Sequence, residues 1–222
     1  MFRNWREQLP ASLIPLGVEL PGRGSRFSEP PLTSVDAIAA GAADALEPFC
    51  HTPYALFGHS LGAHVAYEVA RVLMARGRRP LHLFVSGSRA PHLPPLEAIH
   101  DLPAAQFQRR LTEWGGIPTE VLTEPELLSL LEPMLRADLA ASETYRCESP
   151  SNLGIPITVF AGMQDSLVPV ALASEWAKYT NAYFAFRLLP GNHFFLHSSR
   201  ETLLSMLPRE LELSVTSRGS RA

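Results

Sequence analysis

A chain of 222 residues carries one substantial domain but not two comfortable ones, and 46% apolar with 18% charged residues fits a globular protein. Its net charge of −3 excludes a general nucleic-acid binder, which needs a basic excess. No run reaches the roughly 18 apolar residues of a membrane span, and the opening MFRNWREQLP has no apolar signal core, so a cytoplasmic monomer is expected.

The first residues, 3–9, read as the tail of a helix ended by Pro10. SLIPLGVEL (12–20) has the composition of a short strand, awkward only at Pro15, and PGRG then turns the chain. Helical spacing follows over 34–49, with Ser34 or Thr33 as N-cap, and Cys50 just beyond it. YALFGHS is an apolar strand and GAHVAYEVARVLMARG a helix closed by Gly77. LHLFVSGS (81–88) is apolar enough to be buried on both faces.

From 91 to 150 the pattern changes to two helices, LPAAQFQRRLTEWGG and EPELLSLLEPMLRADLAASETYR, with no strand between them. Alternation resumes with strand IPITVFAG, helix VALASEWAKYT, strand YFAFRLLPG and helix FFLHSSRETLLSML, before a polar tail. Such alternation predicts an α/β protein with a doubly wound, mostly parallel sheet. Residues 1–90 and 151–213 then form two parts of one core, 91–150 a helical lid insertion, and 214–222 a frayed tail. Cys50 and Cys147 lack partners at metal-ligand spacing and are expected as free thiols. Lys178 is the only lysine, which a compositional bias of the genome explains better than anion recognition by arginine does.

Gly58-His59-Ser60-Leu61-Gly62 is a G-x-S-x-G pentapeptide, weak by itself but set here between an apolar strand and an amphipathic helix. A tight turn there would project Ser60 above the sheet edge, with side chains at 58 and 62 expected to obstruct the close strand–helix approach. The helix that follows would aim its dipole and the Leu61 N–H at a developing oxyanion. A serine nucleophile needs a base and an orienting carboxylate, in the chain order Ser, acid, His.

Beyond the insertion the only histidines are His193, in a loop after the last strand, and His197, a turn into the last helix; His193 is preferred. Of Asp101, Asp138 and Asp165, only Asp165 lies at the carboxyl end of a strand, where it would fix the tautomer of His193. Asp101 and Asp138 are expected in solvated or capping roles. Histidines 51, 59, 64, 82, 92 and 100 show no metal-ligand pattern, and His59 and His64 are expected to be structural. Leu127, Leu128, Leu130, Leu131, Met134, Leu135 and Leu139, on a helix kinked at Pro133, either pack the insertion onto the sheet or wall an acyl chamber.

LPGRG, EPPLT, ALFGHSLG, LFVSGSRAPHLP, RADLAASETYR and GNHFFLH together resemble the type II thioesterases of polyketide and nonribosomal peptide synthesis, a likeness running from residue 2 to about 212. The resemblance implies an α/β-hydrolase fold with a helical lid. It also implies hydrolysis of acyl thioesters from the phosphopantetheine arm of acyl or peptidyl carrier proteins, with no cofactor of the enzyme's own. It gives Ser60, Asp165 and His193 the same roles, and suggests Arg23, Arg26 or Arg89 as docking points for an acidic carrier. Two departures stand out. Asn192 occupies a position usually held by glycine. The family also has a strand and a glycine-rich loop ahead of FRNWREQLP, lying between the strands matching 12–20 and 54–59, and that loop supplies the second oxyanion N–H. The expectation is therefore a chain lacking that strand and loop: a start assigned too far downstream, a truncation, or a silent relative that binds carrier proteins. A general carboxylesterase or lipase is a further alternative.

Overall fold

The structure is a computed structural model describing residue 2 and residues 4–117, 121, 124–147 and 152–219, the side chains of 215–219 excepted. Four strands make one sheet: β1 (Leu56–His59), β2 (Leu83–Ser86), β3 (Ile157–Gly162) and β4 (Phe184–Leu189), in the order β1-β2-β3-β4 with every pairing parallel. The helices are α1 (Trp5–Gln8), α2 (Val35–Leu46), α3 (Leu61–Ala75), α4 (Ala104–Trp114), α5 (Pro125–Thr144), α6 (Val170–Ser174), α7 (Phe195–Ser198) and α8 (Arg200–Gly219).

Alternation along each strand sorts the core into two layers. Leu83, Val85, Ile157, Val159 and Ala161 face Ala63, Tyr67 and Ala70 of α3, together with Trp176 and Tyr179. Their neighbours Phe84, Phe160 and Leu189 face the other way, onto Trp5, Phe195 and the α8 residues Leu203, Leu204 and Leu207. Helices on both faces explain why the strand segments are nearly continuous apolar runs. On the α8 face Thr158 meets His82 Nε2 at 2.9 Å and donates to Glu210 Oε2 at 3.1 Å, and Arg187 of β4 donates from Nε to Glu210 Oε1 at 2.8 Å.

The expected strand at 12–20 does not form. Residues 13–20 run without ladder pairing, and Ile14 (69%), Leu16 (54%) and Val18 (45%) are exposed. A strand exists only by pairing, and on the outer side of β1 no described segment offers it a partner. At the other end of the chain, α8 runs through 214–219 where a frayed tail was expected; residues 220–222 lie outside the described set.

The segment joining β2 to β3 contains α4 and α5 and, among its described residues, no strand. Arg89, placed right after β2, donates from Nη2 to Ser142 O at 2.7 Å and Tyr145 O at 3.2 Å, capping the carbonyls that end α5. Glu143, also buried, accepts from the backbone N–H groups of Ile99 (3.0 Å) and His100 (3.1 Å) and pairs with the His100 ring. Asp138 is not a solvated residue: it forms a two-point ion pair with Arg23, at 2.6 and 2.9 Å, tying the 21–24 turn to α5. Leu128 is buried, Leu135 and Leu139 pack on Ile99, Phe107 and Leu111, and Leu127 and Leu130 are exposed.

Candidate active site

The turn after β1 shows why the pentapeptide has its first glycine. A Cβ on Gly58 would lie 1.9 Å from Gly62 O and 2.5 Å from Ala63 N, an impossible overlap. At Gly62 the expectation of obstruction is corrected, because a Cβ there meets nothing within 4 Å. Crowding in the turn falls on the backbone of residue 62, which the bare Gly58 admits. Ser60 adopts φ 54°, ψ −121°, the only positive φ outside glycine among the described residues. Holding a serine there costs of order 1–3 kcal/mol, which the elbow's own contacts must offset. Ser60 N–H donates to Ser86 O (2.9 Å) and Ser60 O accepts from Ala63 N–H (3.0 Å). Leu61 is the first residue of α3, so its N–H belongs to the first turn, whose donors have no partner within a helix.

Asp165 follows β3. Its Oδ1 accepts two backbone bonds, from Leu167 N–H and Val168 N–H, both 2.9 Å, and its Oδ2 lies 2.9 Å from His193 Nδ1. The carboxylate side chain is wholly buried. The loop carrying His193 is fixed by Gln164, whose Oε1 accepts from Gly191 N–H at 2.7 Å and whose N–H donates to Gly191 O at 2.9 Å. Asn192, the departure from the family pattern, accepts the Phe194 N–H on its side-chain oxygen at 3.0 Å, and its carbonyl accepts from Phe195 N–H. Gly162, at the end of β3, lets this loop lie flat: a Cβ there would be 2.6 Å from Asn192 O.

The far nitrogen of His193, Nε2, then stands 3.1 Å from Ser60 Oγ. With Nδ1–H donating to Asp165, Nε2 carries the lone pair that can accept the hydroxyl proton. Ser60, His193 and Asp165 thus meet in one chain of hydrogen bonds from three separate loops. His197 is exposed in α7 instead. Gln164, Asn192, Gly162, Gly87 and His59, none of them singled out for this purpose in the sequence, also frame the site. Only a contact map assigns them, since each acts across a gap between loops.

His59 and His64 are both buried, and burial pushes each down to about 3, so both are neutral near pH 7. His64 Nε2 donates to Arg89 O at 3.0 Å. Arg89 itself is only 5% exposed, and burial, then repulsion from Arg146, lowers it to about 10. It is therefore no surface docking point. Arg23 and Arg26 are paired with Asp138 and Glu29. Among the described residues no group of three or more His, Cys, Asp or Glu side chains could hold a metal ion, and no helix is long and apolar enough to cross a membrane.

A thioesterase-domain family model matches residues 1–211. The chain belongs to the thioesterase family. Among solved structures, it is similar to the RedJ thioesterase from the prodiginine pathway of Streptomyces coelicolor, at 42% identity and TM-score 0.86, covering 94% of this chain and 80% of that one. YbtT, a type II thioesterase from the yersiniabactin pathway, matches at 31% identity and TM-score 0.87, covering 96% and 88%. Among curated proteins, linear gramicidin dehydrogenase LgrE of Brevibacillus parabrevis is 42% identical over 96% of this chain and 82% of its own length. The thioesterase is of type II, an editing hydrolase of nonribosomal peptide and polyketide biosynthesis with an α/β-hydrolase fold.

Proposed function

We propose that this thioesterase hydrolyses acyl groups from the phosphopantetheine thiol of carrier proteins, with Ser60 as nucleophile, His193 as base and acid, and Asp165 as the group that orients it. The observation that carries the reading is His193 held between Asp165 Oδ2 at 2.9 Å and Ser60 Oγ at 3.1 Å. Ser60 Oγ attacks the thioester carbonyl as its proton passes to His193 Nε2, and the imidazolium is stabilised by the buried Asp165. The tetrahedral oxyanion takes a hydrogen bond from Leu61 N–H at the start of α3. Collapse breaks the C–S bond, and the proton on Nε2 goes to the leaving thiolate. A water then repeats the sequence on the acyl-serine, with His193 as its base.

The segment 91–150 serves as the lid in this reading. What supports it is its rim: a Cβ on Gly116, just past α4, would fall 2.0 Å from Phe194 Cζ, so the segment reaches the residue beside His193. A second oxyanion donor would come from a strand and loop added to the outer edge of β1, the edge at which no described strand pairs. A molecule short of that donor turns over about 100–1,000-fold more slowly. The name of the LgrE relative points to redox chemistry, but no G-x-G-x-x-G follows any strand of this chain, and the turn after β1 presents a serine.

The test is hydrolysis of an acyl-phosphopantetheinyl carrier protein. Ser60→Ala and His193→Ala are each expected to lower kcat by at least about 1,000-fold. Equal rates for the wild type and Ser60→Ala would sink the reading and favour a silent carrier-binding protein.

A further inference from the structure

One histidine near Ser60 has no part in the proton path yet is built against it. His59 is 93% buried (7% exposed) and its ring centroid lies 5.1 Å from that of His193, tilted by 46°. On another side it meets Phe195 edge-on at 5.8 Å. Its Nδ1 is tethered to Ser86 Oγ at 3.0 Å, which fixes the plane of the ring, and its Nε2 is buried with no partner among the described residues. Between the two imidazoles and β2 lies Gly87, at φ +52°: a Cβ there would be 2.7 Å from His59 Cε1 and 3.5 Å from His193 Cε1. The chain after β2 therefore comes closer to the His59 ring than a side chain at residue 87 would allow, and lies within ordinary contact distance of His193.

We propose that His59 is a positioning residue for His193: its tethered ring backs the catalytic ring in line between Asp165 and Ser60, and Gly87 stays bare so that the His59 ring fits there. The inference rests on the Ser60–His193–Asp165 reading above. His193 must gain and lose a proton without turning away from either partner, and Asp165 holds only one of its edges. A rigid neighbour against the ring limits its rotation about the bond to Cβ. Burial and the nearby His193 keep His59 uncharged, so it can sit beside an imidazolium without repelling it. A misplacement of the order of 1 Å in such an arrangement costs about 100-fold in rate.

The experiment is a double-mutant cycle on His59 and Gly87, read with a short acyl thioester of N-acetylcysteamine. His59→Ala is expected to lower kcat by about 10–100-fold with KM changed less than about threefold. His59→Asn keeps a hydrogen bond to Ser86 but loses the ring, and is expected to fail in the same way. Gly87→Ala should be at least as damaging in the wild type, where its Cβ would overlap His59 Cε1, and clearly less so in the His59→Ala background, where that ring is gone and only the cost of a side chain at φ +52° remains. The proton on His193 Nδ1, followed by NMR, should shift or broaden in His59→Asn and Gly87→Ala. If His59→Ala does not fold, His59→Asn takes its place in the cycle. Full kcat in the His59 variants, or an equal cost of Gly87→Ala in both backgrounds, overturns the proposal. A Ser60→Ala control separates the two levels: if it is inactive while His59→Ala is unimpaired, only the positioning role fails, and if it is active, the triad reading fails first.

Discussion

Ser60, the proposed nucleophile, is the only described residue other than glycine at positive φ. At φ 54° Ser60 sits where a side chain is disfavoured and glycine is not. Ser60→Gly and Ser60→Ala both remove the hydroxyl, but only the first relaxes the turn. Ser60→Gly is expected to be more stable than Ser60→Ala by about 1 kcal/mol, or about 2–4 °C in melting temperature, with neither variant turning over. Calorimetry on the pair decides it, and a lower melting point for the glycine variant would refute the strain. Ser60, Asp165 and His193, which the structure joins in one hydrogen-bond chain, could be singled out in the sequence because each follows an apolar run with the composition of a buried strand. Gly58 was legible too. Gly62 was misjudged because sequence shows that a turn is tight but not which atom fills it. Gln164 and Asn192 were missed because their partners, Gly191 N and Phe194 N, are set by how two loops meet.

Among the elements, strands that find a partner in the sheet were readable from their apolar composition, and features that hang on one particular neighbour were not. The strands at 56–59, 83–86, 157–162 and 184–189 all lie inside segments marked by apolar composition. The stretch 12–20 has comparable composition and forms no strand, since alternating apolar residues do not supply hydrogen-bonding partners. The anchoring of α5 belongs to the second kind. Arg89 donates to Ser142 O and shares Tyr145 O with Arg146 Nη1, which donates there at 2.7 Å, and a helix C-terminus favours both cations electrostatically. In Arg89→Met the Ser142 carbonyl loses that donor while Tyr145 O keeps Arg146, at a net cost of about 2 kcal/mol. The melting temperature is expected to fall by about 4–8 °C. Arg89→Lys should recover only part of this, because a shorter, flexible stem does not hold its ammonium where the Arg89 Nη2 stands. Unchanged thermal unfolding in Arg89→Met would show that these carbonyls find other donors.

For the whole molecule, the two buried histidines beside the elbow couple folding to pH. Burial holds His59 and His64 neutral down to about 3, whereas in the unfolded chain each takes up a proton below about 6.5. Between those limits the unfolded state binds more protons than the folded one, so stability rises with pH and is lost on acidification. Each histidine contributes about 1.4 kcal/mol per pH unit well below 6.5, and the pair together about 4 kcal/mol of lost stability at pH 5. That is a large share of the 5–15 kcal/mol typical of a whole domain. The exposed carboxylates lowered by their partners, such as Glu29 beside Arg26, add to the loss only nearer pH 4, where they too become protonated. Urea unfolding between pH 6 and 5 isolates the histidine contribution. His64 is the better probe, since its Nε2 bonds Arg89 O away from the Ser60–His193 line. In His64→Leu the slope of stability against pH should drop by about one proton, even though the variant is less stable at pH 8 for want of that hydrogen bond. An unchanged slope would mean that His64 is protonated in the folded protein, and the buried pair would then not be the source of its acid sensitivity.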